Sequence, residues 1–540
     1  MKHLITTFGL LFTCSSCGVI LQNSGTKNFK DPITKTSAYK SLNKFQKDFL
    51  YLSVVCDKYF PNADKYFPKH QRQIAEREIL KNLENRKLSD LAFRLNLINY
   101  LSNFNNRHTW ISLKGVTITG IYPFMTYNID SSWYLLDVSK TIDKDFIGQK
   151  ISAFNNTSIS TYEKQLFEFV SAENITTKRK DISNWWSRPT FHEFISRKQI
   201  DSVNLTFENG KILTIPKITS GELMWHLSEK DFQQHPITKT KNRIYDYQII
   251  DSLATTYFQF QACYDKIELK EGIKSYVKPW LRPIANWYVN TQTRKKKPSK
   301  RLQNYFDPER PVFSDYVSQM VKESNDKGIR KLILDLRNNN GGSELICLQL
   351  LYHLTSRQDL VDFDLYIHNG DFYKHYFKND FKNYINGYYE KHSQYPTADT
   401  LFHAGQAHSN ENLFDKITDP NSPYFVPKNR PIFKGKIVVI ADFTTHSAGA
   451  LFTTLLQDNK VAQVVGTEVS NNPTGPTTWT PFKLPNSKIE VSIASSYLTR
   501  PDKTKTDKFT PDFYVEKSLQ DFMNGHDPLF EKALEILSKD

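Results

Sequence analysis

Lys331-Leu332-Ile333-Leu334-Asp335-Leu336 runs directly into Arg337-Asn338-Asn339-Asn340-Gly341-Gly342, and this stretch decides the fold. The first six residues read as a buried strand, and the two glycines as the turn that ends it. Ser343 to Leu354 then reads as a helix. The alternation returns downstream, where Lys436 to Ala441 is a second apolar strand and Ser447 to Gln457 a second helix. Strands alternating with helices predict an α/β core with parallel strand pairing.

Working outward, a strand is expected over Thr255 to Cys263 and a helix over Asp315 to Asp326. A Tyr- and Asn-rich insertion, 358–430, separates the two strand–helix units. The chain closes with strands near 478–484 and 488–498 and a helix from Asp527. Residues 38 to 103 read as helices, because Leu80, Leu83, Leu88, Leu91, Leu95 and Leu97 recur at helical spacing among charges. Pro61 and Pro68 break that region. From 109 to 216 short alternating runs such as Val203-Asn204-Leu205-Thr206-Phe207 signal strands. Within them Gly148 to Asn156 reads as strand-turn-strand, followed by a helix from Ser160 to Val170.

At the N-terminus Lys2 and His3 precede an apolar run, Leu4 to Thr13, too short to span a bilayer but suited to a secretory signal. It ends in Cys14-Ser15-Ser16-Cys17-Gly18, which resembles the lipobox of bacterial lipoproteins. The reading is cleavage before Cys17, lipidation of that cysteine, and a polar tether to about Ser37, with a membrane as partner and the bacterial cell envelope as location. Cys56, Cys263 and Cys347 then remain, an odd trio that is no disulfide framework but leaves room for one bridge. With Cys14 removed and Cys17 lipidated no CxxC pair remains, no HExxH string supports zinc, and no metal or organic cofactor is expected. The net charge is +14, but the densest basic run, Arg294 to Arg301, carries a proline and reads as a solvated loop, so nucleic acid is not an expected partner.

The strand-to-helix turns carry the chemistry. Gly341-Gly342 permits positive φ and close backbone approach, and its N–H groups sit at the positive end of a helix, where an oxyanion is favoured. In Thr444-Thr445-His446-Ser447-Ala448-Gly449 a serine opens a helix just after a buried strand. The Ala448 N–H is the natural second oxyanion donor. A serine before a helix is usually an N-cap, and paired glycines after a strand are usually a turn.

Taken together and in order, these segments resemble one family. Asp335-Leu336-Arg337-Asn338 through Gly341-Gly342 is similar to its D-L-R-x-N-x-G-G motif, and Thr445-His446-Ser447-Ala448 to its nucleophile motif. Val464-Val465-Gly466-Thr467, Leu484-Pro485-Asn486-Ser487 and Pro511-Asp512 to Val515 resemble its later elements. It is the family of C-terminal processing peptidases, the tricorn core peptidase and the interphotoreceptor retinoid-binding protein. The resemblance is firm over about 325–516 and weaker from 38 to 216. It implies a crotonase-like (ClpP-like) α/β catalytic domain over 217–540, with insertions near 265–305 and 358–430. Residues 38–108 are then an N-terminal helical region and 109–216 a PDZ-like β module, in which Asn156 replaces the usual glycine.

One branch of the family uses a lysine base after the nucleophile, but Asn472 stands at that place. The other, tricorn-like branch uses an early histidine, and Asn106-Arg107-His108-Thr109 resembles its D-x-H-T motif with Asn106 for the Asp. The resemblance therefore implies Ser447 as nucleophile and His108 as general base, with His446 the less suited alternative. The third group is expected near Lys505, which occupies its place; Asp507 is the nearest carboxylate and Glu468 another. The expectation is a serine endopeptidase acting on peptide or protein substrates, with Gly341 or Gly342 and Ala448 as oxyanion donors. The rival is an envelope lipoprotein that keeps the fold as a binding module. No glycine-rich phosphate-binding motif supports acyl-CoA chemistry on the related crotonase fold.

Overall fold

A six-stranded sheet forms the centre of the computed structural model. Its order is 513–514, 463–466, 436–441, 331–335, 255–260, 245–250, and every pair is parallel except the last. The structure describes residues 28–539 apart from 85–87, 114–119, 220–223, 227–234, 240–242, 278, 295–304, 307–309 and 409–411. The expected signal sequence, Cys17 and most of the basic run therefore lie outside the described residues.

The deciding alternation is present as expected. Lys331–Asp335 pairs in register with Lys436–Ala441, and each runs through its turn into a helix, Glu344–Leu354 and Ala448–Asp458. Both helices are apolar almost all round and lie in the largest core cluster, with Ile346, Leu350, Leu351, Leu451, Leu455 and Leu456 buried. Burying such side chains is worth roughly 1.5–3 kcal/mol each, the main force holding the turns in place. The terminal helix Pro528–Ser538 covers the opposite face of the sheet through Leu529, Phe530 and Ala533.

The 358–430 insertion is not a loop. Asp364–His368 and Leu401–Gln406 form an antiparallel pair that extends a second sheet through Glu490–Thr499, beside Gly475–Lys483 and the short strand Trp110–Ile111. The helical region folds as expected around Lys44–Tyr59, Lys69–Asn82 and Asp90–Ser102. A third sheet, built from strands between Phe124 and Pro216, carries three helices on it, Ile159–Phe167, Ile175–Ser183 and Pro189–Ser196. Asn155 and Asn156 turn its hairpin at φ +47° and +63°, a conformation asparagine tolerates, which accounts for Asn where a glycine is usual.

The tether needs correction at its end. Phe29 is buried edge-on against Tyr59 and Phe372, and the Asp31 carboxylate, fully buried, pairs with Lys58 at 3.3 Å. The chain is thus anchored from about residue 28, because an aromatic ring and a paired carboxylate dock it on the helical region.

Candidate active site

Ser447 sits at φ +52°, ψ −126°, between the strand Lys436–Ala441 and the helix it precedes. A non-glycine residue rarely holds such a backbone, and the cost is of order 1–3 kcal/mol. The ordinary reading of a serine here, an N-cap, is not realised: its side chain makes no capping bond to the helix. The strain is held from both sides. The Ser447 N–H donates to Asn471 Oδ1 at 2.8 Å, and the His446 N–H to the Asn339 carbonyl at 2.7 Å.

The glycine turn packs directly on this serine. A Cβ on Gly341 would stand 2.6 Å from Ser447 Cβ and 3.0 Å from the Ala448 nitrogen, so only glycine fits. Gly342 is pressed against the Cys263 carbonyl, 2.4 Å from its own would-be Cβ, at φ +138°. The Gly341 N–H is already committed to Asn339 Oδ1 at 2.8 Å. This corrects the expectation that Gly341 serves as an oxyanion donor: the buried Asn339 side chain takes its proton first. Asn339 is itself fixed by donating to the Phe260 carbonyl at 2.7 Å.

His108 reaches the same cleft from the far end of the chain. It follows the helix Asp90–Ser102 and precedes Trp110, which pairs with Ser492. Asn106, fully buried, sets its position. Its Oδ1 accepts from the His108 N–H (3.1 Å) and the Thr109 hydroxyl (3.2 Å), while its Nδ2 donates to Glu173 (3.1 Å) and the Pro476 carbonyl (2.8 Å). An aspartate could accept but not donate, so the amide suits this place. Asn106→Asp should therefore set a carboxylate against Glu173 and lose two donors. A fall of about 2–3 kcal/mol in denaturant stability is expected, and a stability equal to wild type would contradict this account.

The cleft, of about 570 Å³, is lined by Ser447, His108, His446, Gly342 and Glu344 among others. The two imidazoles stack at 5.8 Å between centroids. Burial and the neighbouring Arg107 hold the His108 imidazolium down, to about 4, and burial does the same to His446. Both rings are neutral at pH 7. His446 Nδ1 is engaged with the Ser470 hydroxyl at 2.7 Å, whereas His108 Nδ1 is buried with no partner.

The expected third residue does not arrive. Asp507 pairs with Lys65 at 2.8 Å and is half exposed. It cannot orient His108, whose Nδ1 is bare, because Lys65 of the helical region claims it. Lys505 instead joins the buried Arg500–Asp458 pair, and Glu468 accepts from Thr176 at 3.3 Å. Asn471, Asn339 and Glu344 belong to the site although sequence reasoning passed over them. Their only signal was nearness to the two turns.

Among the described residues there is no group of three or more His, Cys, Asp or Glu placed to hold a metal, and no helix long and apolar enough to cross a membrane. Cys56, Cys263 and Cys347 are free and buried.

This is an α/β protein whose cleft opens beyond the carboxyl ends of its parallel strands, where such folds bind their ligands. Residues 309–515 match the model of Peptidase family S41, the family whose motifs that stretch resembles. The fold agrees. Mature CPAF superposes with a TM-score of 0.59 at 12% identity, over 93% of this chain and 96% of that one. Mature CPAF complexed with lactacystin gives the same score and identity, over 93% and 98%. No curated protein matches the sequence.

Proposed function

We propose that the chain is a serine peptidase of the cell envelope that cleaves peptide or protein substrates through an acyl-enzyme on Ser447. The observation that carries this reading is the strained, uncapped Ser447 in one cleft with a neutral, half-buried His108. His108 removes the hydroxyl proton as the oxygen attacks the carbonyl carbon, then returns it to the leaving amine. The N–H groups of Gly342 and Ala448 receive the oxyanion, each worth roughly 3 kcal/mol of transition-state stabilisation. The reading includes a crotonase-like catalytic core, a PDZ-like role for the 109–216 unit, and a lipid on Cys17.

A fluorophosphonate probe tests it. Labelling should be lost in both Ser447→Ala and His108→Ala; loss in the serine variant alone would remove His108 from the mechanism. Lactacystin, bound in the CPAF complex, should compete with the probe. Because the imidazole keeps its base form down to about pH 4, the acid limb of kcat/KM should lie near pH 4. A limb at the ordinary histidine value of about 6.5 would show a differently placed base.

One observation favours a second reading, a binding protein without turnover: His108 Nδ1 lacks the orienting acceptor that a triad supplies. Absence of labelling at any pH in the folded protein would decide for it.

A further inference from the structure

Glu344 opens the helix that follows the glycine turn and lines the Ser447 cleft. Its Oε2 lies 2.6 Å from His408 Nε2, and His408 Nδ1 lies 2.6 Å from Asp362 Oδ1. Asp362 is wholly buried and its two oxygens also accept the N–H groups of Phe363 (2.7 Å) and His408 (2.8 Å). A histidine can face two carboxylates with both ring nitrogens only as the imidazolium, and its proton is held up to about 10. The trio thus carries two negative charges against one positive. Asp362 is fully satisfied inside the protein, so the surplus charge faces outward at Glu344, whose side chain is 39% exposed. Burial works against the ionised form of Glu344, but His408 and Lys416 outweigh it and hold the carboxyl below its usual range.

The cleft that holds this carboxylate is lined by Leu365, Tyr373, Tyr384, Ala407 and Leu498, together with the polar Asn340, Thr477 and Thr478. The cation in the lining, Arg107, is paired with Asp181 at 3.1 Å. A cleft with aliphatic and aromatic side chains and a fixed carboxylate suits a long aliphatic stem ending in a positive charge. The same cleft holds the nucleophile, so the group received belongs to a residue near the bond being cut.

We propose that Glu344, braced by His408 and Asp362, is a specificity determinant that receives a lysine or arginine side chain of the substrate close to the scissile bond. This rests on the peptidase reading of Ser447.

The test uses the mature protein and alanine-rich dodecapeptides carrying a single arginine moved through each position, with products identified by mass spectrometry. Cleavage should follow the arginine at a fixed offset and exceed that of the all-alanine peptide by about 10–100-fold, the range of a charge-assisted contact. In Glu344→Gln the ratio of arginine to alanine peptide should fall towards one, and a ratio is unaffected by an overall drop in turnover. Should that variant fail to fold, the wild type decides alone: n-butylguanidine should protect Ser447 from the fluorophosphonate at concentrations where n-butylurea does not. Cleavage indifferent to the arginine, or equal protection by the two compounds, would overturn the inference while leaving a labelled Ser447 and the peptidase reading intact. A folded wild type that takes no label would instead remove the peptidase reading, and this inference with it.

Discussion

Gly341→Ala is expected to abolish reaction at Ser447 and to lower stability by about 2–4 kcal/mol. Two costs combine. The residue sits at φ +80°, where an L side chain is strained. The new methyl would also lie 2.6 Å from Ser447 Cβ and 2.9 Å from the His446 carbonyl, neither of which is a flexible side-chain tip that could swing away. The serine turn must move, and its N–H groups are held by single hydrogen bonds to Asn471 Oδ1 and the Asn339 carbonyl. Displacing a nucleophile by about 1 Å costs on the order of 10²-fold in rate even where the chemistry is otherwise intact. Fluorophosphonate labelling rates and thermal melting would read the two effects separately. A variant that labelled at the wild-type rate would show that the two turns are not in contact as described.

Asp458→Ala should cost about 3–5 kcal/mol, the usual penalty for stranding one member of a buried ion pair. Asp458 ends the helix that Ser447 begins, and its carboxylate is fully buried against Arg500 at 2.7 and 2.9 Å. Arg500, also buried, further donates to the carbonyls of Thr506 and Lys508. Loss of the carboxylate therefore frees the 500–508 loop as well as the helix end. Replacing both partners with apolar residues, Asp458→Leu with Arg500→Met, should recover most of the loss. Urea titration of the three variants checks this. Equal destabilisation in the single and double variants would mean that packing, and not the unpaired charge, is responsible.

That clamp also explains why the third catalytic position was misjudged. Resemblance pointed to the Lys505–Asp507 segment, but Lys505 and Arg500 converge on Asp458 while Asp507 turns to Lys65. Such pairings join residues more than 40 positions apart, and no local pattern encodes them. The parallel strands and their helices were legible because each is a short apolar run with a glycine or serine turn at its end. Ser447 was legible because its neighbours form a motif. The role of Asn106 was not, since a buried asparagine serving four partners looks in sequence like an ordinary loop residue. The Glu344–His408–Asp362 trio was equally hidden, its members being spread over 64 residues, one on a helix and two in loops. Nor did the polar composition before Ser37 reveal that Phe29 and Asp31 dock on the helical region.

Asn106 has one more consequence. Its amide binds Glu173 of the 109–216 unit, the Pro476 carbonyl of the antiparallel sheet and the backbone of His108. The proposed base thus rides on a three-way joint between separately folded parts of the chain, while the nucleophile is welded into the parallel sheet. A rotation at that joint would carry His108 relative to Ser447 without disturbing either core. On the proposed mechanism Ser447 and His108 stay in register only while these parts remain docked, so loosening the 109–216 unit would act as a clutch on the chemistry.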